Sequence, residues 1–297
     1  MINRCLRLSR IVVSLTSLVV LTLALTAPAL TLPVVAPWLE RIQLIPALAA
    51  YSLFTFVVWL MVTLAFGRIY CSTVCPLGTL QDIAARAVRA SRSARRRRPY
   101  RYTQPRTALR YIFVAAMLMA LMLQNVIAVA ILDPYSAYAE MCSRLFAPAL
   151  GIPSPAVVLL PLPATILAAV ILGASVALAA RGGRTICNTV CPVGSTLGMV
   201  SRYSVFQIDI DTDKCINCGR CEEVCKGSCI NLCEHVVDGS RCVACFDCIN
   251  VCPNDAIHYT NRRKQLSFPM MQEISSSLKE KQGELGATLN SVKPDRE

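Results

Sequence analysis

The chain has 297 residues, 55% of them hydrophobic, with a mean hydropathy of +0.51, sixteen cysteines and a formal net charge of +12. So apolar a composition excludes an ordinary soluble domain, and the length admits one or two domains. Sixteen cysteines leave two readings, an extracellular disulfide framework or metal ligation, and spacing decides for metal.

Four stretches, Ile11–Leu32, Gln43–Phe66, Tyr111–Leu132 and Ala156–Ala180, contain no Asp, Glu, Lys or Arg. Each is long enough to cross a bilayer, which takes roughly 20 apolar residues. We expect four transmembrane helices rather than four buried core helices. Pro161 and Pro163 would kink the fourth or end its outer part. Arg4, Arg7 and Arg10 precede the first stretch. Arg86, Arg89, Arg92, Arg95 to Arg98, Arg101, Arg106 and Arg110 lie between the second and third, and Arg181 and Arg184 follow the fourth. The opposite loops hold only Glu40 and Arg41, then Asp133, Glu140 and Arg144. The Lys/Arg bias therefore predicts a multi-pass protein of the bacterial inner membrane with both termini cytoplasmic. The arginine run reads as a topology determinant touching anionic lipid, not as a nucleic-acid site. A basic start followed by LTAPAL leaves cleavage of the first span as an alternative, although the apolar run is long for a signal peptide.

A ten-residue phrase occurs twice, as GRIYCSTVCP at 67–76 and GRTICNTVCP at 183–192, each time directly after the second span of a hairpin. This is a parallel internal repeat, whose natural axis runs along the membrane normal. Such symmetry would bring Cys71 and Cys75 near Cys187 and Cys191. Four thiolates at an apolar–aqueous boundary suit a soft metal site, an iron–sulfur cluster before zinc. Cys-x3-Cys at a helix end puts both sulfurs on one face. Pro76 and Pro192 bias the preceding cysteine towards extended geometry. Gly78 and Gly194 fit a tight turn beside a bulky ligand. A disulfide is the alternative, disfavoured on a reducing face.

The third region carries two cysteine runs, Cys215-x2-Cys218-x2-Cys221-x3-Cys225 and Cys242-x2-Cys245-x2-Cys248-x3-Cys252-Pro253. This is the spacing of a two-cluster bacterial ferredoxin, in which the fourth cysteine of each run reaches the other cluster. Cys215, Cys218, Cys221 and Cys252 are thus expected to hold one [4Fe–4S] cluster, and Cys242, Cys245, Cys248 and Cys225 a second. Small residues between ligands (Gly219, Ala244) would let backbone N–H groups approach the sulfides. A zinc ribbon needs only two Cys-x2-Cys pairs. The first run departs from the pattern: Lys226 stands where Pro253 stands in the second, and Cys229 where Ala256 does. Cys229 reads as a small buried residue beside a cluster, with an alternate ligand as the sharper reading, and Cys233 has no evident role. Cys5 and Cys142 are isolated, the latter on the oxidising side and open to pairing with a partner chain. His235 and His258 are expected on the surface of this domain. No histidine lies in the spans, which excludes a bis-histidine haem there. Residues 263–297 read as a polar, mobile tail.

The expected organisation is a membrane all-α domain at 1–206, four transmembrane helices as two repeated hairpins, then a small α+β two-cluster ferredoxin-like domain at 207–262 and the tail. Over residues 1–262 these features resemble the NapH/MauN-type membrane ferredoxins, which include the quinol dehydrogenase component of periplasmic nitrate reductase systems. The resemblance implies iron–sulfur electron transfer at the inner membrane, coupled to quinol. Implied cofactors are two [4Fe–4S] clusters, a third iron–sulfur or metal centre at Cys71, Cys75, Cys187 and Cys191, and quinone as a further ligand. Expected partners are the membrane, quinone or quinol and other redox subunits, with no nucleic acid. The chain would relay electrons between its clusters and the quinone pool or a respiratory partner, as the electron-transfer subunit of a quinol dehydrogenase-type oxidoreductase. The alternatives are a maturation factor for another respiratory metalloenzyme and a redox sensor. Lys226, Cys229 and Cys233 depart from the standard ferredoxin pattern and bear on membership of the nitrate-reductase branch. Gln124 and Asn125 are the one adjacent amide pair inside a span, a candidate quinone contact or an interhelical hydrogen bond.

Overall fold

The computed structural model describes residues 2–26, 53–91, 99–125, 128–129, 132–146 and 162–261. Its helices are α1 (Ile2–Thr26), α2 (Leu53–Phe66), α3 (Tyr70–Thr73), α4 (Pro76–Ser91), α5 (Thr107–Met122) and α6 (Pro134–Met141), which continues as a π-helical turn over Cys142–Phe146. They are followed by α7 (Leu162–Gly182), α8 (Thr185–Thr189) and α9 (Pro192–Ser201). The C-terminal part contains β1 (Gln207–Ile210), α10 (Arg220–Val224), β2 (Ile230–Asn231), β3 (Val236–Val237), α11 (Asp247–Val251) and β4 (Ile257–Thr260).

Two of these helices, over Cys5–Thr26 and Thr165–Gly182, are long and apolar enough to cross a membrane among the described residues. The other two expected spans are represented by α2 and α5, of 14 and 16 residues. Residues 27–32, 43–52 and 156–161 of the expected stretches lie outside the described residues, as do Arg92, Arg95 to Arg98 and residues 263–297. The third stretch is not one helix to Leu132. It stops at Met122, and the chain turns through Gln124 at φ +50°. The amide N–H of Asn125 returns to the Ala120 carbonyl at 3.0 Å, and its side-chain oxygen accepts from the Ala128 N–H at 3.1 Å. Gln124 and Asn125 therefore close a helix end and are not an amide pair within a span. All four apolar helices turn large hydrophobic side chains outward, among them Val12, Val19, Phe54, Met61, Ile112, Met119, Ile166 and Val170.

In the C-terminal part β1 pairs antiparallel with β4, from Gln207↔Thr260 to Ile210↔Ile257, and β2 pairs antiparallel with β3. Between them lies one loop–helix unit built twice. Residues 27 positions apart share left-handed backbone: Asn217 and Ala244 (φ +53° and +48°), Gly219 and Phe246 (+75° and +59°), Ser228 and Asp255 (+49° and +46°). Such positions turn successive N–H groups into a concavity that favours an anion, which explains why even Phe246 is held there.

Charged groups buried at the junction join the two parts. The Asp82 carboxylate on α4 is 3% exposed. It accepts from Arg10 on α1 at 2.6 Å and from Arg184 at 3.0 Å, with the Lys226 ammonium at 3.5 Å. Lys226 also meets Asp247 on α11 at 2.9 Å, and Arg7 of α1 meets the same carboxylate at 2.8 Å, with Arg86 at 3.7 Å. Burial alone would raise both carboxyls. The surrounding cations, led by Arg184 for Asp82 and Lys226 for Asp247, outweigh it, holding Asp82 well below the usual carboxylate range and lowering Asp247. Lys226, the residue that replaces the expected proline, is thus the bridge between these two acids. A strap from the Arg-rich loop adds backbone bonds: Tyr100 N–H to Glu223 O at 3.2 Å and Thr103 N–H to Ser228 O at 3.4 Å. Arg241 stacks 5.1 Å over Tyr102 and pairs with Asp238 at 2.6 Å. On the far side the Tyr259 hydroxyl donates to the Phe66 carbonyl at 2.8 Å, and Phe206 lies between the two rings.

Removing one member of a buried ion network leaves its partners charged and unpaired, which costs about 3–5 kcal/mol. Asp82→Asn is expected to lower stability by an amount of this order, read as a reduced midpoint in thermal unfolding of the purified protein, whereas Lys214→Ala at an exposed pair should leave the midpoint unchanged.

Candidate metal centres

The eight cysteines of the two runs line two separate cavities. Cys215, Cys218, Cys221 and Cys252 share one with Ile210, Leu232, Pro253 and Ala256, around roughly 350 Å³ free of protein atoms and partly open to solvent. Cys225, Cys242, Cys245 and Cys248 share the other, of about 320 Å³, with Ile208, Ile230, Val237 and Cys229. Each run therefore places its fourth cysteine in the other run's cavity, because α10 and α11 end just before Cys225 and Cys252 and direct those residues across the interface.

The surroundings suit a cluster. Walls are apolar, and the donors include backbone groups, such as the Ala256 N–H at 3.2 Å from the Cys252 sulfur. Burial pushes the Cys221 thiol up to about 11 and Cys245 up to about 12. Such thiols do not ionise at neutral pH unaided, and a cationic iron core would draw them into the thiolate form. Cys225 goes the other way, pulled down to about 7 by a hydrogen bond from Cys229 against the effect of burial. The donor set, all sulfur in a dry cavity with inward N–H groups, fits a [4Fe–4S] cluster in each. His235 is half-buried and its Nε2 lies 2.6 Å from the Asn217 side-chain oxygen, pinning the loop between Cys215 and Cys218. His258 sits on β4 opposite Asp209.

The duplicated phrases also come together. Cys71, Cys75, Cys187 and Cys191 are all buried. Cys71 lies on α3 and Cys187 on α8, while Cys75 and Cys191 immediately precede the prolines that open α4 and α9. Gly67 and Gly183 end the preceding helices at φ +78° and +69°, a left-handed closure that glycine adopts without strain. The arginine that follows each glycine then reaches into the other copy. Arg68 donates to the Cys187 carbonyl at 3.2 Å and to Asn188 at 2.8 Å. Arg184 donates to the Cys71 carbonyl, and to the Gly78 carbonyl at 3.0 Å. Both arginines are fully buried. They are functional positions that the motif reading missed. The signal was there, since the Gly-Arg pair recurs with the cysteines.

Gly78 and Gly194 have a different role from the turn expected of them. A Cβ at Gly78 would stand 2.1 Å from the Cys71 carbonyl oxygen, and one at Gly194 2.2 Å from that of Cys187. Each lies in the first turn of its helix, where the missing side chain makes room for a cysteine carbonyl and the opposite arginine. Around these sulfurs burial raises Cys75, with Cys71 and Cys187 adding to it, and raises Cys187 to about 11. Gln81 accepts from the Cys187 thiol at 3.0 Å, and the Gly194 N–H points at the Cys191 sulfur at 3.4 Å. Among the described residues no three Cys, His, Asp or Glu side chains close on one point tightly enough to chelate a single ion, as tetrahedral zinc requires.

The remaining thiols divide by exposure. Cys229 is 2% exposed, and Cys5 and Cys233 are at the surface. Cys142 is fully buried against Leu21, Tyr135 and Tyr138. The expected pairing of Cys142 with a partner chain is therefore not available, because the π-helical turn directs the sulfur inward.

Comparison with known proteins agrees with this arrangement. A family described as "4Fe-4S binding domain" matches residues 48–98 and 164–210, the windows holding the two repeated phrases, and a second of the same description matches 208–231. The chain is 24% identical over 184 residues to the Escherichia coli protein named "Putative electron transport protein YccM", covering 61% of this chain and 47% of that one. It is 46% identical over 39 residues to "Uncharacterized protein MJ0749" of Methanocaldococcus jannaschii, covering 13% and 16%. The chain thus spans less than half the length of either relative. No solved structure matches. The chain carries 4Fe–4S binding domains of the ferredoxin type.

Gly194→Ala is expected to prevent assembly of the duplicated motifs, since a methyl group against a carbonyl at 2.2 Å cannot be relieved by a rotamer change and overpacking of this kind costs about 1–3 kcal/mol or more. Gly173→Ala, with no atom within 4 Å of the new methyl group, should be silent. Folded yield after detergent extraction distinguishes the two.

Proposed function

We propose that this chain is a membrane-bound iron–sulfur electron-transfer protein of the NapH/MauN type, relaying electrons between its clusters and the quinone pool or a respiratory partner. One observation carries the reading. Cys245 of the second cavity packs in the same apolar core as Cys71, Cys75 and Cys191, whereas its counterpart in the first run, Cys218, is exposed. The three cysteine sets therefore stand in series, from a solvent-facing site through a buried one to the duplicated motifs. Bound clusters would supply the one-electron carriers. The chain supplies the ligands, the dry walls, the inward N–H groups and the fixed docking of one set on the next. Cys215, Cys218, Cys221 and Cys252 would hold the outer cluster, and Cys225, Cys242, Cys245 and Cys248 the inner one. Cys71, Cys75, Cys187 and Cys191 would hold the third centre.

Membrane residence is supported by the outward apolar faces of α1, α2, α5 and α7, larger than soluble monomers leave uncovered. The Arg7–Asp247 pair, which ties the start of α1 to the ferredoxin-like part, supports putting both on one side, and the arginine bias supports reading that side as cytoplasmic. This pair and the Arg10–Asp82 pair favour retention of α1 over its removal as a signal peptide.

Iron and sulfide quantification with EPR on anaerobically purified protein tests this function. We expect three centres in the wild type and two in Cys71→Ala, with the ferredoxin-type signals unchanged, and reduction of the centres by an added quinol. A colourless, iron-free protein overturns the proposal. Wild-type content of two centres, unaltered by Cys71→Ala, removes the third centre from it. In a separate measurement, the protein is expected to stay with the membrane pellet after an alkaline carbonate wash; release into the supernatant overturns the membrane assignment.

A further inference from the structure

The second cavity holds five sulfurs where four suffice. Cys229 lines it with Cys225, Cys242, Cys245 and Cys248, and its sulfur lies 3.4 Å from that of Cys225. The position is held from both sides: the Cys229 carbonyl accepts from Asp238 N–H at 2.8 Å, and β2 begins at the next residue. The internal repeat supplies a comparison. Residue 256, the equivalent in the other half, is alanine, and there the ligand sulfur of Cys252 receives only the backbone N–H at 3.2 Å. At this position the two sites share a left-handed residue just before it, and one carries a thiol where the other has a methyl group.

We infer that Cys229 is not a ligand but a hydrogen-bond donor to the Cys225 ligand sulfur, raising the reduction potential of the second cluster above that of an otherwise equivalent site. A sulfur bound to iron is a thiolate and can only accept, so the proton at this contact belongs to Cys229. Reduction adds negative charge that is shared by the ligand sulfurs. A donor aimed at them stabilises the reduced form more than the oxidised one, which is how hydrogen bonds to sulfur set cluster potentials. The result is an inner site that draws the electron away from the solvent-facing one. This inference rests on the iron–sulfur reading proposed above.

The test is an EPR-monitored redox titration of anaerobically purified, full-length protein, with iron content measured on the same samples. Cys229→Ala is expected to keep wild-type iron, lower the midpoint of one centre and leave the others in place. Cys229→Ser, which keeps a donor in nearly the same volume, is expected to recover most of the shift. An unchanged midpoint in Cys229→Ala overturns the inference while the proposed function stands. Iron loss in Cys229→Ala, with full iron retained in Cys225→Ala, also overturns it by making Cys229 the ligand. Absence of iron from the wild type overturns the proposed function itself.

Discussion

The arrangement depends on one buried carboxylate. Asp82 lies out of water with cations from three distant segments around it: Arg10 from α1, Arg184 from the second repeated phrase and Lys226 from the first cysteine run. Charge buried this deeply is tolerated only when the surrounding set is complete, so the set acts as an assembly condition. The apolar helices, the duplicated motifs and the ferredoxin-like part must all be in place before the acid is neutralised. Through Lys226 the same condition extends to Asp247, which sits between Cys245 and Cys248. The distances between cysteine sets are thereby fixed by electrostatics rather than by the loops that join them.

The duplicated base obeys a second constraint. Arg68 and Arg184 each satisfy a carbonyl of the opposite copy, and Gly78 and Gly194 each leave the space for that exchange. Neither copy can complete its own cysteine loop. The repeat is therefore obligatory, since a single hairpin with one phrase would leave both the guanidinium and the carbonyl without partners in an apolar setting.

Much of this was legible in the sequence because its signals are local. The Cys-x2-Cys-x2-Cys-x3-Cys runs, the repeated phrase and the apolar stretches are all patterns within a few dozen residues. What was not legible depends on residues far apart. Nothing in the local pattern singles out Asp82, whose partners lie 72, 102 and 144 positions away. Lys226 was visible as a departure from pattern, but its meaning required Asp82 and Asp247 to be beside it. Ala244 and Phe246 give no hint of left-handed backbone by residue type, and only their register with Asn217 and Gly219 discloses it. Gln124 and Asn125 were read by composition as part of a span, whereas a helix end is decided by where the backbone N–H groups find acceptors. Cys142 was placed by topology alone, and the inward direction of its side chain comes from a π-helical turn that composition does not announce.

Asp82, Lys226 and Asp247 carry a further implication because none of the three is repeated. In the base, the counterpart of Asp82 is Gly198; in the ferredoxin-like part, the counterparts of Lys226 and Asp247 are Pro253 and Arg220. Two bodies, each with approximate twofold symmetry, meet through contacts that break that symmetry in both. A half-turn of one on the other would set Pro253 where Asp82 meets a lysine, and Arg220 where Arg7 and Arg86 meet a carboxylate. The joint closes one way round, so the order in which the cysteine sets follow one another is written into the seam.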